Sequence, residues 1–379
     1  MVLARPPAPD RRLQLLGGLT PREFMRRHWQ RRPLLVRSAI TGVVRPLSRS
    51  ELFALAARDD VESRLVRVRN TRDWSLMRGP IVRSKFPPLR EPGWTLLVQG
   101  VDLHHDAAHS LLQQFRFLPD ARLDDLMISW ASDGGGVGPH VDSYDVFLLQ
   151  ARGLRRWRIA RRYDAAVDER APLRVLRRFA AEQEFLLEPG DLLYLPPGWA
   201  HEGVAVGGDC MTCSIGLRAP QRGALAAELA QRLAETYDDP NLYRDAGQQP
   251  ATPKPAAIPA ALAEFASNAL RRLANRPAAV ARAFGEVLSE PKAEVWFTKR
   301  GARWRAGAVA LDRRTRMLYD TRHVFINGEA VLVRGKDAAL LRRLANERML
   351  SASAVRGASA AVRKLLATWS AAGWLGSRQ

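Results

Sequence analysis

His140 and Asp142 stand two residues apart in SDGGGVGPHVDSYDVFLLQ, and His201 closes a second stretch, PGDLLYLPPGWAH. Two imidazoles and one carboxylate are the ligand set of the facial triad that holds a non-haem Fe(II), with open positions left for a co-substrate and dioxygen. Zinc accepts the same three donors, so the triad alone leaves the metal open. H-x-D is a weak pattern by itself, and the surrounding sequence is what sharpens it. Gly134, Gly135, Gly136 and Gly138 make a turn, and Pro139 sets the entry to a strand. Side chains alternate along a strand with period two, so His140 and Asp142 are expected on one face. Pro196-Pro197-Gly198 makes a second turn that presents His201. A metal-centred catalytic site is expected, with His140, Asp142 and His201 as its ligands.

The elements that must position these residues are mostly short strands. DDLMISWA, YDVFLLQ, LRRWRIA, EFLLEPGDLLYLP and CMTCSIGLR are β-like runs separated by Gly and Pro, the pattern of a sandwich or barrel. Upstream, residues 21–37 read as a short helix and then a strand at Leu34 to Arg37. Ser50 before ELFALAAR reads as a helix N-cap. His104 to Phe115 has a helical pattern. After Pro220, ALAAELAQRLAETY is a strong helix, and the Pro-rich QQPATPKPAAIPAA reads as a linker. Two more helical segments follow. RGARWRAGAVALDRRTRMLYDTRHVFINGEAVLV then reads as strands and ALLRRLANERML as a helix.

GGGVGPHVDSYDVFLLQARGLRRWRI and EPGDLLYLPPGWAHEGVA resemble the Jumonji-C class of 2-oxoglutarate oxygenases. With HWQRRPLLVRSA, DDLMISWA and SIGLRAP, they resemble more closely the bacterial ribosomal oxygenases that hydroxylate an arginine of the sixteenth large-subunit ribosomal protein. The resemblance covers residues 20–220 closely and the C-terminal third more loosely. It implies a mainly β catalytic core, a double-stranded β-helix or cupin jelly roll with flanking helices. A helical segment and a winged-helix-like α/β domain follow it. The divisions expected are 1–218 (catalytic), 219–290 (helical, dimerising) and 291–379 (winged-helix-like). It also implies His140, Asp142 and His201 as ligands of Fe(II), and Arg155 as the partner of the distal carboxylate of 2-oxoglutarate. Ser129 and Ser214 are implied as further polar contacts to that co-substrate. A guanidinium can hold a carboxylate in a bidentate fork, which suits Arg155, although Arg156 and Arg158 compete for the role. The reaction implied couples oxidative decarboxylation of 2-oxoglutarate by dioxygen to hydroxylation of an unactivated carbon. The target is an arginine of the ribosomal protein, with histidine hydroxylation as the alternative in the same chemistry. Tyr144 and Asp145, just past the iron pair, could equally meet a cationic substrate or be packing residues.

Other features compete for attention. His105 and His109 resemble an H-E-x-x-H zinc helix, but Asp is shorter than Glu and no third ligand is apparent, so a polar helix face is the expectation. Cys210 and Cys213 fall on opposite faces of a strand, which disfavours a disulfide or a shared metal. Trp29, Trp74 and Trp94 read as packing groups. The net charge of +20 suits a phosphate-facing surface, and it makes an RNA-binding assembly factor with a vestigial barrel the rival from another class. Only six of the 59 basic residues are lysine, so coding bias is an equal account of the charge. The chain shows no secretory h-region, no apolar run long enough to span a bilayer and no disulfide framework. A cytoplasmic protein without membrane contact is expected, homodimeric by the resemblance, with a ribosomal protein and ribosomal RNA as partners.

Overall fold

The computed structural model describes residues 6–42, 46–70, 73–299 and 307–377. The first helix, α1 (Pro21–Arg27), opens with a capping box in which Thr20 and Glu23 satisfy each other's backbone N–H groups. β1 (Leu34–Val36) follows. α2 (Arg49–Ala56) has the same device built on Ser48, whose hydroxyl accepts from the N–H of Glu51 at 3.3 Å. The cap is therefore Ser48 and not the expected Ser50. The S-x-x-E spacing places Glu51 at the third helical position only when Ser48 is the cap.

β2 (Ser63–Asn70), β3 (Asp73–Arg78) and β4 (Trp94–Val98) form an antiparallel ribbon. α3 (Asp106–Gln113) and β5 (Leu123–Ala131) follow. The core is completed by β6 (His140–Val141), β7 (Asp145–Ala160), β8 (Gln183–Leu187), β9 (Leu192–Leu195) and β10 (Ala200–Leu217). Among the described residues these ten strands join in the order β1-β9-β7-β10-β5-β4-β2-β3, with β6 on β10 and β8 on β7.

The two longest strands run further than the sequence pattern suggests: β7 joins the two runs YDVFLLQ and LRRWRIA, and β10 extends upstream of CMTCSIGLR to Ala200. β7 and β10 pair antiparallel over most of their length, and the register shifts between Val206 and Met211. At that point Gly153, Gly207 and Gly208 have φ of 65°, 77° and 74°. A Cβ on Gly153 would lie 2.9 Å from the Asp209 carbonyl oxygen, so the bend requires glycine there. The first half of β7 pairs with β9 and its second half with β8. One bent pair of strands thus serves two layers, which is how the sheet encloses a cavity.

Period two then sorts the side chains. Phe147 and Leu149 join Ile128, Trp130, Cys213 and Ile215 in the main core, beneath helices α1 to α3. Val146 and Leu148 turn the other way and join Trp157, Ile159 and Trp199 in a second cluster.

Beyond the core come α4 (Arg222–Ala234), α5 (Ala260–Ala274) and α6 (Pro277–Ser289). The remainder is β11 (Val309–Leu311), β12 (Met317–Tyr319), β13 (His323–Ile326), β14 (Glu329–Leu332), α7 (Gly335–Glu347), β15 (Met349–Leu350), α8 (Ala352–Arg356), α9 (Ala360–Ala371) and β16 (Leu375–Ser377). β12, β13 and β14 make an antiparallel meander with its own core, which includes Leu341, Leu366 and Trp369. Residues 300–306, the start of the expected strand run, lie outside the described residues. Arg116 ties this unit to the catalytic core by donating to the carbonyl of Asn346 at 2.7 Å. No helix among the described residues is long and apolar enough to cross a membrane.

Candidate metal and co-substrate site

β6 is only two residues long, so Asp142 lies just past its end instead of within a strand. The convergence expected from period two survives, because β6 pairs with the start of β10 and sets His140 directly opposite His201. The backbone carbonyl of Asp142 accepts from Gly198, which fixes the turn before His201. Both rings are oriented from behind. Nδ1 of His140 lies 2.9 Å from the Gly138 carbonyl, and Nδ1 of His201 lies 2.9 Å from the Trp199 carbonyl. Carbonyls only accept, so both rings carry their proton on Nδ1 and offer Nε2 as a ligand atom. Asp142 Oδ2 lies 3.9 Å from His140 Nε2 and 3.6 Å from His201 Nε2. Donors about 2.1 Å from one ion can be up to roughly 4 Å apart, so this set closes on a single divalent metal. Burial, and then the neighbouring His140, push the pKa of His201 down to about 4, which keeps it a neutral ligand. Among the described residues this is the only cluster of three such donors.

Arg155 faces the same cavity from β7. It is 4% exposed, and its Nη1 donates to Ser129 Oγ and to Thr212 Oγ1, both at 3.1 Å. Its Nε is buried without a partner, and no carboxylate neutralises it among the described residues. Burial lowers its pKa, as expected for a cation removed from water with no counter-ion. The geometry separates it from its neighbours, since Arg156 pairs with Glu184 at 3.3 Å and Arg158 pairs with Glu202. A buried, unpaired guanidinium calls for an anion from outside the chain. Ser129, Ser214 and Tyr144 line the same ≈ 330 Å³ cavity as the triad and Arg155. The Tyr144 hydroxyl bonds to Asp142, and desolvation followed by that carboxylate's charge raises its pKa.

Asp145 does not line the cavity. It is fully buried on the opposite face of β7, sharing the parity of Phe147 and Leu149. There it accepts from the Tyr194 hydroxyl at 2.6 Å and from the Gln30 amide at 2.9 Å, and it pairs with Arg122 at 3.2 Å. The expectation that it meets substrate is corrected to a role in anchoring the N-terminal segment.

Thr212 and Gln150 went unnoticed in the sequence. The Thr212 hydroxyl donates to Gln150 Oε1 at 2.9 Å, and Gln150 in turn donates to the carbonyls of Arg152 and Gly153. Together they hold Arg155 in place at the strand bend. The signal was available, since Thr212 has the parity of Ser214.

The rival features fall away. His105 sits at the N-cap position of α3, and His109 is buried near Arg348, Arg313, Arg116 and Asp312; neither joins a three-donor cluster among the described residues. Cys210 and Cys213 are free and lie in different clusters. Trp94 and Trp29 pack in the core, and Trp74 rests against Gly138.

Comparison with known proteins agrees with this architecture. A family model described as a JmjC domain matches residues 110–225, and one described as a ROXA-like winged helix matches residues 269–376. The ribosomal protein uL16 3-hydroxylase of Escherichia coli is 37% identical over 274 residues, 72% of each chain. The chain belongs to the JmjC ribosomal oxygenases. A probable ribosomal oxygenase of Haemophilus influenzae is 36% identical across 59% of this chain and 56% of its own. The crystal structure of E. coli YcfD superposes with a TM-score of 0.83 at 30% identity, covering 95% of this chain and 98% of that one. A second structure, of YcfD with cobalt and 2-oxoglutarate, has a TM-score of 0.79 at 30% identity and covers 95% and 99%. The mainly β oxygenase core followed by a winged helix is thus the family's architecture.

Proposed function

We propose that this chain is an Fe(II)- and 2-oxoglutarate-dependent hydroxylase of the uL16 ribosomal protein, acting on an arginine side chain. The observation that carries the reading is Arg155, a buried cation without a counter-ion among the described residues, in the same cavity as a His-Asp-His cluster. The donor set fits Fe(II), for which cobalt stands in within the E. coli relative's structure. The enzyme is a 2-oxoglutarate-dependent dioxygenase. When bound, iron and 2-oxoglutarate supply the oxidising power that places one oxygen atom of dioxygen on an unactivated carbon.

The protein's own residues position and insulate that chemistry. His140, Asp142 and His201 would hold the metal through one face, with both imidazole tautomers fixed by backbone carbonyls. Arg155 would hold the distal carboxylate in a fork, helped by the hydroxyls of Ser129 and Ser214. Leu148, Trp157 and Val146 wall the cavity and exclude water from it. The E. coli relative is named for carbon 3, next to the substrate backbone. In an arginine hydroxylated at that carbon the guanidinium lies several bonds beyond the reacting atom, so a carboxylate beside the metal is not needed to hold it. That fits the lining, where Asp142 is the only carboxylate among the described residues.

In the same reading residues 1–218 carry catalysis, 219–290 a homodimer contact and 291–379 the winged-helix-like unit. The dimer is supported by α5, which buries none of its residues and leaves Leu262, Phe265 and Leu270 exposed. Action on a ribosomal protein places the enzyme in the cytoplasm. Mass spectrometry of ribosomes from cells with and without the gene tests the assignment. One oxygen atom missing from a uL16 arginine in the deletion strain is the expected result. Hydroxylation of a histidine would redirect the reading to the alternative target, and unchanged ribosomal proteins would refute it.

A further inference from the structure

A cavity of ≈ 840 Å³ lies away from the catalytic site, where α4 and α6 meet the β12–β14 meander. Its lining contains Arg232, Arg276, Arg282, Arg322 and Arg334 against a single carboxylate, Glu286. Two of these arginines are neutralised locally. Arg282 pairs with Glu286 at 2.7 Å, and Arg232 pairs with Glu290. The guanidiniums of Arg276, Arg322 and Arg334 have no carboxylate partner among the described residues, although that of Arg276 lies 5.5 Å over the Tyr237 ring, and all three residues are exposed. They come from separate elements: Arg276 precedes α6, Arg322 sits in the turn between β12 and β13, and Arg334 precedes α7. Chain adjacency therefore does not explain their convergence. Some surface arginines elsewhere are paired, as Arg156, Arg170 and Arg218 are with nearby carboxylates, and others such as Arg83, Arg90 and Arg178 stand apart from one another. What distinguishes the cavity is the convergence of several on one concavity. Like charges gathered around one concavity repel each other, and the field they focus attracts an anion. Leu233, Ala283 and Val333 add an apolar floor.

We propose that this cavity is a binding site for phosphate groups, and that the ligand presenting them is an RNA chain. A cavity of this size admits more than a single phosphate, since drug-sized ligands occupy roughly 300–1,000 Å³. Planar guanidiniums suit phosphate oxygens, and the apolar floor suits the sugars between them. The choice of RNA rests on the ribosomal-protein reading above. A chain of net charge +20 gains no long-range attraction to a basic ribosomal protein, whereas RNA attracts both.

The test uses the full chain and needs no turnover, so its outcome is separable from that of the hydroxylase assignment. Binding of a fluorescently labelled RNA hairpin is followed by anisotropy over a range of KCl concentrations. The parent is compared with R276Q/R322Q/R334Q and with R83Q/R90Q/R178Q, which removes the same charge from other exposed positions. Neutralising three phosphate contacts lowers the slope of log K against log salt by about 2 to 3. The cavity variant is expected to lose that slope and to bind at least ten-fold more weakly (an order-of-magnitude expectation). The control is expected to lose less than about one unit of slope. R276K/R322K/R334K keeps the charge and should retain most of the slope, which separates loss of charge from loss of fold. Equal losses in the cavity and control variants, or no RNA binding by the parent, would overturn the proposal. Inorganic pyrophosphate provides the other arm. Competition with RNA supports a shared site, while pyrophosphate binding without RNA binding would reduce the site to one for free phosphate and overturn the RNA assignment.

Discussion

Replacing Arg155 with methionine should abolish co-substrate binding while leaving the stability of the empty enzyme nearly unchanged. The side chain is buried, its Nε is unpartnered and no carboxylate among the described residues neutralises it. A buried ion left without its partner is destabilising, so the empty enzyme carries a penalty that the variant removes. Methionine fills similar volume with a flexible apolar chain. Against this stand two hydrogen bonds, to Ser129 and Thr212, worth about 1 kcal/mol each, and Thr212 keeps its bond to Gln150. The empty variant is therefore expected to unfold in urea within about 1–2 kcal/mol of the parent. Binding behaves otherwise. Removing one member of a buried, hydrogen-bonded ion pair costs about 3–5 kcal/mol, which is roughly two to three and a half orders of magnitude in Kd. In the metal-loaded parent, 2-oxoglutarate at about a hundred times Kd adds some 2.7 kcal/mol of stability. In R155M the same concentration should add almost nothing. Urea titration with and without 2-oxoglutarate, on Mn(II)-loaded protein, reads both effects. A variant that unfolds several kcal/mol earlier yet keeps its response to 2-oxoglutarate would refute the assignment and make Arg155 a structural residue.

Asp145→Ala should destabilise the chain by about 3–5 kcal/mol, because it leaves Arg122, Tyr194 and Gln30 facing a void, while KM for 2-oxoglutarate stays unchanged. A normal urea midpoint with altered substrate KM would restore Asp145 as a substrate residue. Gly203→Ala places a Cβ 2.7 Å from the Trp157 ring, which stands 5.9 Å from the His201 ring; overpacking of about 1–3 kcal/mol and weaker metal binding are expected by calorimetry. His109 bears on pH. Burial, followed by the charges of Arg348, Arg313 and Arg116, pushes its pKa down to about 3 from 6.5. The folded state therefore binds fewer protons than the unfolded state in that window. The contribution of His109 is fully present above pH 6.5 and is lost as the pH falls towards 3, at up to about 1.4 kcal/mol per pH unit. H109Q should flatten the acid limb of a urea-midpoint profile, and an unchanged profile would contradict the burial argument.

The site was more legible in the sequence than the fold that carries it. Turn chemistry marks both ends of the triad, because Gly138 and Gly198 adopt φ of 77° and backbone of that kind selects glycine strongly. The choice of Arg155 over Arg156 and Arg158 was not legible, because it depends on which strand face meets Glu184 and Glu202 across the sheet. Asp145 could have been placed by parity with Phe147 and Leu149, but proximity to the iron pair obscured it. β7 reads as two short runs and only the second half of β10 reads as a strand, because their bends carry the same glycines that separate real strands. Ser50 was preferred to Ser48 because adjacency to the apolar run was weighed above the spacing to Glu51. The arginine excess is resolved only in three dimensions, where Arg156 and Arg218 find carboxylates and Arg276, Arg322 and Arg334 gather at one cavity.

The central claim joins a metal triad, a carboxylate-binding arginine and a ribosomal protein in one reaction, and a single assay addresses all three. Purified uL16 is incubated aerobically with this chain, Fe(II) and 2-oxoglutarate, while succinate is counted and the protein is mass-mapped. The account predicts one oxygen atom gained on an arginine side chain at carbon 3, one succinate formed for each hydroxylation, and neither product with H140A/D142A. Unmodified uL16 in the presence of an enzyme that binds both metal and 2-oxoglutarate would contradict it, as would equal product from the double variant.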